Sequence, residues 1–289
     1  MKKSILTTGL SGLVGSKFAT DFDTSYQFTN LDISNQENPV DITDVYQISK
    51  AFEASDAEFV VHCAAYTNVT AAWEQNGDKN GIAYKVNVIG TENIIKACKD
   101  TNKHLIHIST AYVFDGENEG LYTEEDTPNP IEWYGTTKAL SEEAVIQADQ
   151  AWTVLRIDVP FRSDPFPRPD VIRKSLELAE KGIPLFDNHF IGPTFIDDFA
   201  KVIDWVIRTK TTGLFHASSG EKWSDFELLK KVIELHKLDI KVTAGDLHEY
   251  LKKLDRPYQK NTAMSSAKLA KLLDFKQHTV EEALALLEL

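Results

Sequence analysis

The chain has 289 residues, 42% hydrophobic and 26% charged, which is enough for one large α/β body with a smaller appended part. A formal net charge of -13 argues against nucleic acid and anionic membranes as partners, since both need a basic face; it leaves room for an anionic ligand held by local backbone amides. Two cysteines, Cys63 and Cys98, make neither a disulfide framework nor a zinc site. With no signal-peptide core and no apolar run of bilayer length, they fit a reducing cytoplasm.

In chain order, the spacing predicts a short buried strand over 4–8, a helix starting over 13–20 and a second strand over 26–31. A helix follows over 45–54, with Asp41 or Thr43 as its N-cap. Phe59, Val60 and Val61 form a continuous apolar run, so 58–63 reads as a strand covered on both faces, as in a parallel sheet. A long helix is expected over 81–100, a strand over 105–109, and a polar loop rich in Gly, Asp, Asn and Pro over 115–130. Residues 133–147 read as helix and 153–157 as strand. This alternation predicts a Rossmann-type doubly wound parallel sheet through residue 157. Pro160, Pro165, Pro167 and Pro169 then mark a loop, followed by a helix over 171–181, a helix over 195–208 and a strand over 213–217. Ser224-Asp225-Phe226-Glu227 starts another helix as a capping box, and the rest reads as helical with a break near Asp255-Arg256-Pro257. The expected division is a dinucleotide-binding body over 1–157, with 195–220 returning to it. A smaller C-terminal α/β part over 158–194 and 221–289 would bind substrate.

Two motifs carry chemistry. Gly9-Leu10-Ser11-Gly12-Leu13-Val14-Gly15 lies between the first strand and the first helix, the context a dinucleotide fingerprint requires. Its glycines permit a tight turn, close approach of backbone to pyrophosphate, and close packing of helix on strand. Asp32 stands 23 residues after Gly9, near the spacing at which a carboxylate grips the adenosine ribose. Such an acid repels a 2′-phosphate, so NAD is favoured over NADP. Asp41, with Ile42 beside it, either faces the adenine or caps the next helix. The second motif is Tyr134-Gly135-Thr136-Thr137-Lys138, which places a phenol and an ammonium one helical turn apart on one face. An ammonium beside a phenol favours the phenolate and lowers a pKa that is ordinarily about 10. Ser109-Thr110 ends an apolar stretch, with Thr110 lying 24 residues before Tyr134.

With these residues assembled, the chain resembles the extended short-chain dehydrogenase/reductase family, and within it the dTDP-4-dehydrorhamnose reductases. The resemblance rests on Gly9-x-x-Gly12-x-x-Gly15, His62-Cys63-Ala64-Ala65-Tyr66-Thr67, Asn87-Val88-Ile89-Gly90-Thr91, Ser109-Thr110-Ala111-Tyr112-Val113-Phe114-Asp115-Gly116, Tyr134 to Lys138, Gly192-Pro193-Thr194-Phe195-Ile196-Asp197-Asp198 and Gly213-Leu214-Phe215-His216. It implies that Tyr134 donates a proton to a carbonyl oxygen as hydride reaches the carbon. Lys138 would lower the phenol pKa and bond the nicotinamide ribose, and Thr110 would hold the substrate oxygen. Cys63, Ala64, Ala65 and Tyr66 would flank the cofactor. Asn87 would hold the active-site helix through a water, or would be a polar residue inside a helix. The resemblance also implies a nucleotide-sugar substrate and a homodimer through the helices over 81–100 and 133–147.

The sequence departs from the rhamnose-reductase pattern in two places: Ala111 stands where that family usually has Asp, and the segment after Arg156 is different. Dehydratases of the superfamily carry an Asp-Glu pair after the Thr, where this chain has Ala111 and Tyr112. A reductase, or an epimerase that only moves hydride, fits better. Where rhamnose reductases read Thr-Ser-Trp-Val-Tyr, this chain reads Ile157-Asp158-Val159-Pro160-Phe161, so the sugar pocket is altered. Asp158 either bonds sugar hydroxyls, alongside Ala111 and Tyr112, or caps the loop. Arg162, Arg168 and Arg173 either meet a nucleotide diphosphate or are solvated surface charge. No carboxylate cluster for a metal is recognisable. A third reading is a cofactor-binding regulatory subunit without catalysis, against which the intact Thr110, Tyr134 and Lys138 argue.

Overall fold

The computed structural model describes residues 2–35 and 38–289. Five strands, β1 (Lys3–Thr8), β2 (Tyr26–Leu31), β3 (Phe59–His62), β4 (His104–Thr110) and β5 (Trp152–Ile157), join the Gly213–His216 strand in a six-stranded sheet. Every pairing is parallel, and the order places β1 between β2 and β3, then β4, β5 and Gly213–His216. The direction of winding reverses at β1, so the carboxyl ends of β1 and β3 open a crevice there.

All residues of β3 and β4 are buried. Alternate side chains go to opposite faces, as the strand period of two requires. Ile5, Val61, Ile106 and Leu155 pack on one face against Phe18 of α1 (Leu13–Asp21) and Phe199, Val202, Ile203 and Val206 of the Ile196–Thr209 helix. Leu6, Val60, Leu105 and Val154 pack on the other face, against Ile48 and Phe52 of α2 (Val45–Glu53), Ile94 of the Thr91–Asp100 helix and Val145 of the Trp133–Ile146 helix. A second core joins the Val171–Glu180, Asp225–His236 and Val280–Leu284 helices through Ile172, Leu229 and Leu284. Short two-stranded pairings, Pro160–Phe161 with Thr194–Phe195 and Trp223–Ser224 with Phe190–Ile191, lace this part to the end of β5. Among the described residues, no helix is long and apolar enough to cross a membrane.

Several local expectations are corrected. Asp44, not Asp41 or Thr43, caps α2 by accepting from the Tyr46 and Gln47 amides at 2.9 and 3.2 Å. Asp41 instead closes its own turn on the Thr43 amide. The expected helix over 81–100 is interrupted by a π-helical turn, Lys85–Gly90, between Ile82–Tyr84 and Thr91–Asp100. An extra short helix, Val69–Trp73, precedes it. Beyond the Asp225–His236 helix the chain is mostly irregular, with short helices only. Lys237, at φ 52°, ends that helix in the left-handed region, and the later segment makes isolated bridges, Phe190 to Asn261 and Tyr122 to Met264.

Candidate active site

A cleft of about 910 Å³ opens at the carboxyl ends of β1, β3, β4 and β5. At one end lies the turn after β1. Gly9 has φ 66°, and a Cβ there would stand 2.6 Å from the Ala64 amide and Cα. A Cβ on Gly15 would meet the Leu10 Cα at 2.7 Å. Only glycine permits this backbone and this packing of α1 on the loop. Gly12 caps α1 with no side-chain partner, and the Ser16 amide is the one that turns back to the Gly12 carbonyl at 3.0 Å. The amides of Leu13, Val14 and Gly15 are thus the first donors of a helix, without a partner among the described residues, at its positive end and beside an open cleft. That is the donor set a pyrophosphate needs, and the cradle fits a dinucleotide. Asn30 steadies the loop: its Oδ1 accepts from the Leu10 amide at 3.2 Å and its Nδ2 donates to Ser11 Oγ at 3.3 Å.

Every residue from the glycine motif expected at the cofactor lines this cleft: Gly9, Ser11, Gly12, Leu13, Val14 and Gly15. So do Asp32, Asp41, Ile42, Cys63, Ala64, Ala65 and Tyr66. Asp32 Oδ1 accepts from the Ser34 amide and hydroxyl at 2.9 and 2.8 Å. Burial pushes the Cys63 thiol up to about 12, so it stays protonated. Asn87 lies behind the wall. Its Oδ1 accepts from the Tyr66 amide at 2.7 Å, and its Nδ2 donates to the Tyr66 carbonyl at 3.1 Å and to Thr137 Oγ1 at 2.9 Å. It therefore ties the loop after β3 directly to the helix carrying Tyr134 and Lys138, without a water between.

Thr110, Tyr134 and Lys138 meet on the same wall. The Trp133–Ile146 helix begins at Glu132, a buried residue whose carboxylate accepts from the Tyr134 amide at 2.7 Å and also from the Gly135 amide. A Cβ on Gly135 would lie 2.1 Å from the Tyr112 carbonyl oxygen, so glycine there lets the helix start directly against the Ala111–Val113 turn. The Thr110 hydroxyl lies beside the Tyr134 phenol and accepts from the Tyr112 amide at 3.2 Å. Burial raises the phenol pKa above its ordinary value, while the Thr110 hydroxyl opposes that rise. The expected lowering by Lys138 is not what dominates, because that ammonium points elsewhere: Nζ donates to the Ile108 carbonyl at 2.9 Å and sits 3.3 Å from His107 Nε2. Burial brings the Lys138 pKa down to about 8.

Three of the expected substrate residues do not reach the cleft surface. Ala111 is fully buried. Asp158 is buried, and its Oδ2 accepts from the Gly192 amide and from Thr262 Oγ1, both at 2.7 Å. It binds the loop, the second of its two readings. Arg162 is buried as well, donating to both carboxylate oxygens of Asp164 at 2.9 and 2.7 Å and to Ser16 Oγ at 2.8 Å. Arg173 likewise serves Asp170 and the Arg162, Ser163 and Glu288 carbonyls. Tyr112 does line the cleft, as do Arg168 and Lys174. His189, Asp225 and Tyr258 also line it and were not legible beforehand. They come from three distant segments, and no local motif marks them.

Buried ionisable groups set the response to acid. Burial holds His62 at about 3, His104 at about 4 and His216 at about 3, and drives His107 well below the ordinary 6.5. Each is neutral when folded and binds a proton when unfolded below pH 6.5, so the unfolded state gains protons and stability falls as pH drops from 6.5 toward 3 to 4. Glu132 and Asp158, both pushed up to about 7 by burial, act oppositely: folded, they keep protons that the unfolded chain has released, so their contribution falls as pH rises toward 7. Four histidines outweigh two carboxyls. The melting temperature is expected to fall as pH is lowered from 6.5 to 4, and less steeply in His62→Asn. A flat profile across that range, by scanning calorimetry, would contradict the histidine assignment.

The RmlD substrate binding domain family pattern matches residues 1–287. The chain is 28% identical to the probable low-salt glycan biosynthesis reductase Agl14 of Haloferax volcanii, over 97% of this chain and 96% of that one. It is also 28% identical to dTDP-4-dehydrorhamnose reductase of Mycolicibacterium smegmatis, over 81% of this chain and 69% of the relative. Among solved structures, dTDP-4-dehydrorhamnose reductase of Bacillus anthracis in complex with NADP superimposes with a TM-score of 0.87 at 25% identity, covering 98% of each chain.

Proposed function

We propose a specific reaction for this chain, which belongs to the RmlD substrate-binding domain family and is an NAD(P)-dependent reductase of the extended short-chain dehydrogenase/reductase type: reduction of a keto group on a nucleotide-activated sugar, of the dTDP-4-dehydrorhamnose kind. The observation that carries it is the convergence of Thr110, Tyr134 and Lys138 on the wall of the cleft that also holds the glycine loop. NAD(P)H, when bound, supplies the hydride. Thr110 holds the carbonyl oxygen, and Tyr134 gives its phenolic proton to the alkoxide as it develops. Lys138, anchored by the Ile108 carbonyl, lines the same wall and supplies a positive charge to it. Arg168 and Lys174 supply the positive charge for a diphosphate.

Asp32 favours NADH over NADPH, since its carboxylate stands on the cleft wall just past β2. A homodimer through the active-site helix is supported by Leu140 and Ile146, large apolar side chains left exposed on it.

Oxidation of NADH, with NADPH in parallel, against a panel of nucleotide 4-keto-sugars tests the reaction. Turnover with at least one of them, faster with NADH, is the expected result. Silence across the panel with cofactor binding intact would favour an epimerase or a cofactor-bound subunit. The same assay gives a pH test. The Lys138 ammonium is present below its pKa of about 8 and lost above it, so kcat is expected to fall as pH rises through about 8. A kcat that instead rises steadily to pH 10 would remove the cation from the reaction.

A further inference from the structure

His189 and Asp225 pair on the cleft wall and take no part in the chemistry above. His189 Nδ1 lies 2.7 Å from Asp225 Oδ2. The His189 side chain is only 6% exposed. Its ring is held edge-on against Phe186 and Tyr258, with centroids 6.4 and 5.1 Å away. A carboxylate can only accept, so Nδ1 carries the hydrogen towards Asp225, the tautomer that places the lone pair of an uncharged ring on Nε2. Among the described residues no protein group bonds Nε2, and that atom is not sealed from solvent. His189 lines the cleft, and Nε2 is the ring nitrogen its protein partner leaves over for a ligand there.

The backbone hangs this pair beside the reacting groups. Ile157 is in register with Thr110 across β5 and β4, so Asp158 follows at the level where Thr110 ends its strand. The Asp158 carboxylate accepts from Gly192 and Thr262, each at 2.7 Å. Those residues lie just beyond His189 and Tyr258. The two segments are also bonded to each other, Phe190 N to the Lys260 carbonyl at 2.8 Å and Thr262 N to the Phe190 carbonyl at 2.9 Å. Asp225 enters from the third side, because Trp223–Ser224 pairs with Phe190–Ile191.

We propose that His189, fixed by Asp225, is a subsite for a hydroxyl group of the sugar ring, read through a hydrogen bond from that hydroxyl to Nε2. It rests on the nucleotide-sugar reading above and adds what that reading lacks, a group that senses the ring substituents. An acceptor of fixed tautomer in a largely buried ring selects a substrate with a hydroxyl at that point. A ring without it leaves Nε2 desolvated and unpaired.

The test is calorimetric and needs no turnover. Wild type, His189→Phe and His189→Gln are titrated with dTDP-glucose, UDP-glucose, free dTDP, free UDP and NADH. Wild type is expected to bind one nucleotide sugar more tightly than its free nucleotide, and His189→Phe to lose about tenfold of that advantage. Affinity for NADH and for free nucleotide is expected to stay the same. His189→Gln, whose amide oxygen can still accept, is expected to recover part of the loss, which a purely structural role would not predict. A sugar advantage unchanged in His189→Phe, or absent in wild type, overturns the subsite alone. A wild-type chain that binds neither nucleotide sugars nor free nucleotides overturns the nucleotide-sugar reading and the subsite with it.

Discussion

Tyr134→Phe is expected to lower kcat by about 10²- to 10⁴-fold, the range for loss of a positioned proton donor, and to leave NADH affinity close to wild type. The phenol lies in a buried wall beside the Thr110 hydroxyl. Burial raises its pKa, so the proton stays on the oxygen until an alkoxide develops beside it. The substitution removes that oxygen and nothing else of the shape. Thr110 still receives the Tyr112 amide, and the ring still packs edge-on to Tyr112, with centroids 5.8 Å apart. Steady-state turnover at saturating NADH and keto-sugar, together with a fluorescence titration of NADH, separates chemistry from binding. If kcat stays within about threefold of wild type, another group delivers the proton and Tyr134 only shapes the wall.

Glu142→Ala is expected to cost about 3 to 5 kcal/mol of folding stability, as when one partner of a buried ion pair is removed. Glu142 and Arg156 are each 2% exposed. Arg156 Nε donates to both Glu142 oxygens at 3.0 and 3.1 Å, and Nη2 donates to Oε2 at 2.6 Å. The guanidinium also lies 5.0 Å over the Phe114 ring, with Nη1 3.3 Å from His216 Nε2. One side chain on β5 thus holds the Trp133–Ile146 helix, the loop after Thr110 and the last strand of the sheet. Without Glu142 the cation is stranded in a site that water does not reach. Glu142 is on the same helix as Tyr134 and Lys138, so turnover is expected to fall along with stability. Urea unfolding measures the first and the NADH assay the second. A loss below about 1 kcal/mol would mean that the helix relaxes enough to hydrate Arg156.

Much of the frame was legible because parallel-sheet strands and glycine turns are local in cause. The apolar run Phe59-Val60-Val61 needs cover on both faces whatever its neighbours. Gly9, Gly12 and Gly15 mark a turn that other residues would obstruct. These features gave the sheet, and the whole-chain match to the RmlD substrate binding domain family agrees with the resemblance read from the motifs. The misreadings fall where the deciding contact is remote or where neighbouring residues compete for one role. Asp41, Thr43 and Asp44 are all able to cap a helix, and Asp44 wins by lying one residue before its first turn. Residues 237–279 have helical composition in places, yet their backbone is partly spent on bridges to Phe190 and Tyr122.

The sequence by itself determined the order of the sheet strands through residue 157, the glycine turn after β1 and the one-turn spacing of Tyr134 and Lys138, because each depends on residues within a few positions of one another. Tertiary structure decided which charges are free to act. Asp158 and Arg162 look like ligand-binding groups in one dimension, but folding buries both and brings Gly192 and Thr262 to Asp158 Oδ2 and Asp164 and Ser16 to Arg162, so neither side chain reaches the cleft. It decided as well that Lys138 bonds Ile108 and that burial, not its ammonium, governs the Tyr134 phenol. His189, Asp225 and Tyr258 share a wall only because the ends of β4 and β5 gather three segments far apart in the chain. Desolvation and long-range pairing are properties of the packed molecule, and no short stretch of sequence contains them.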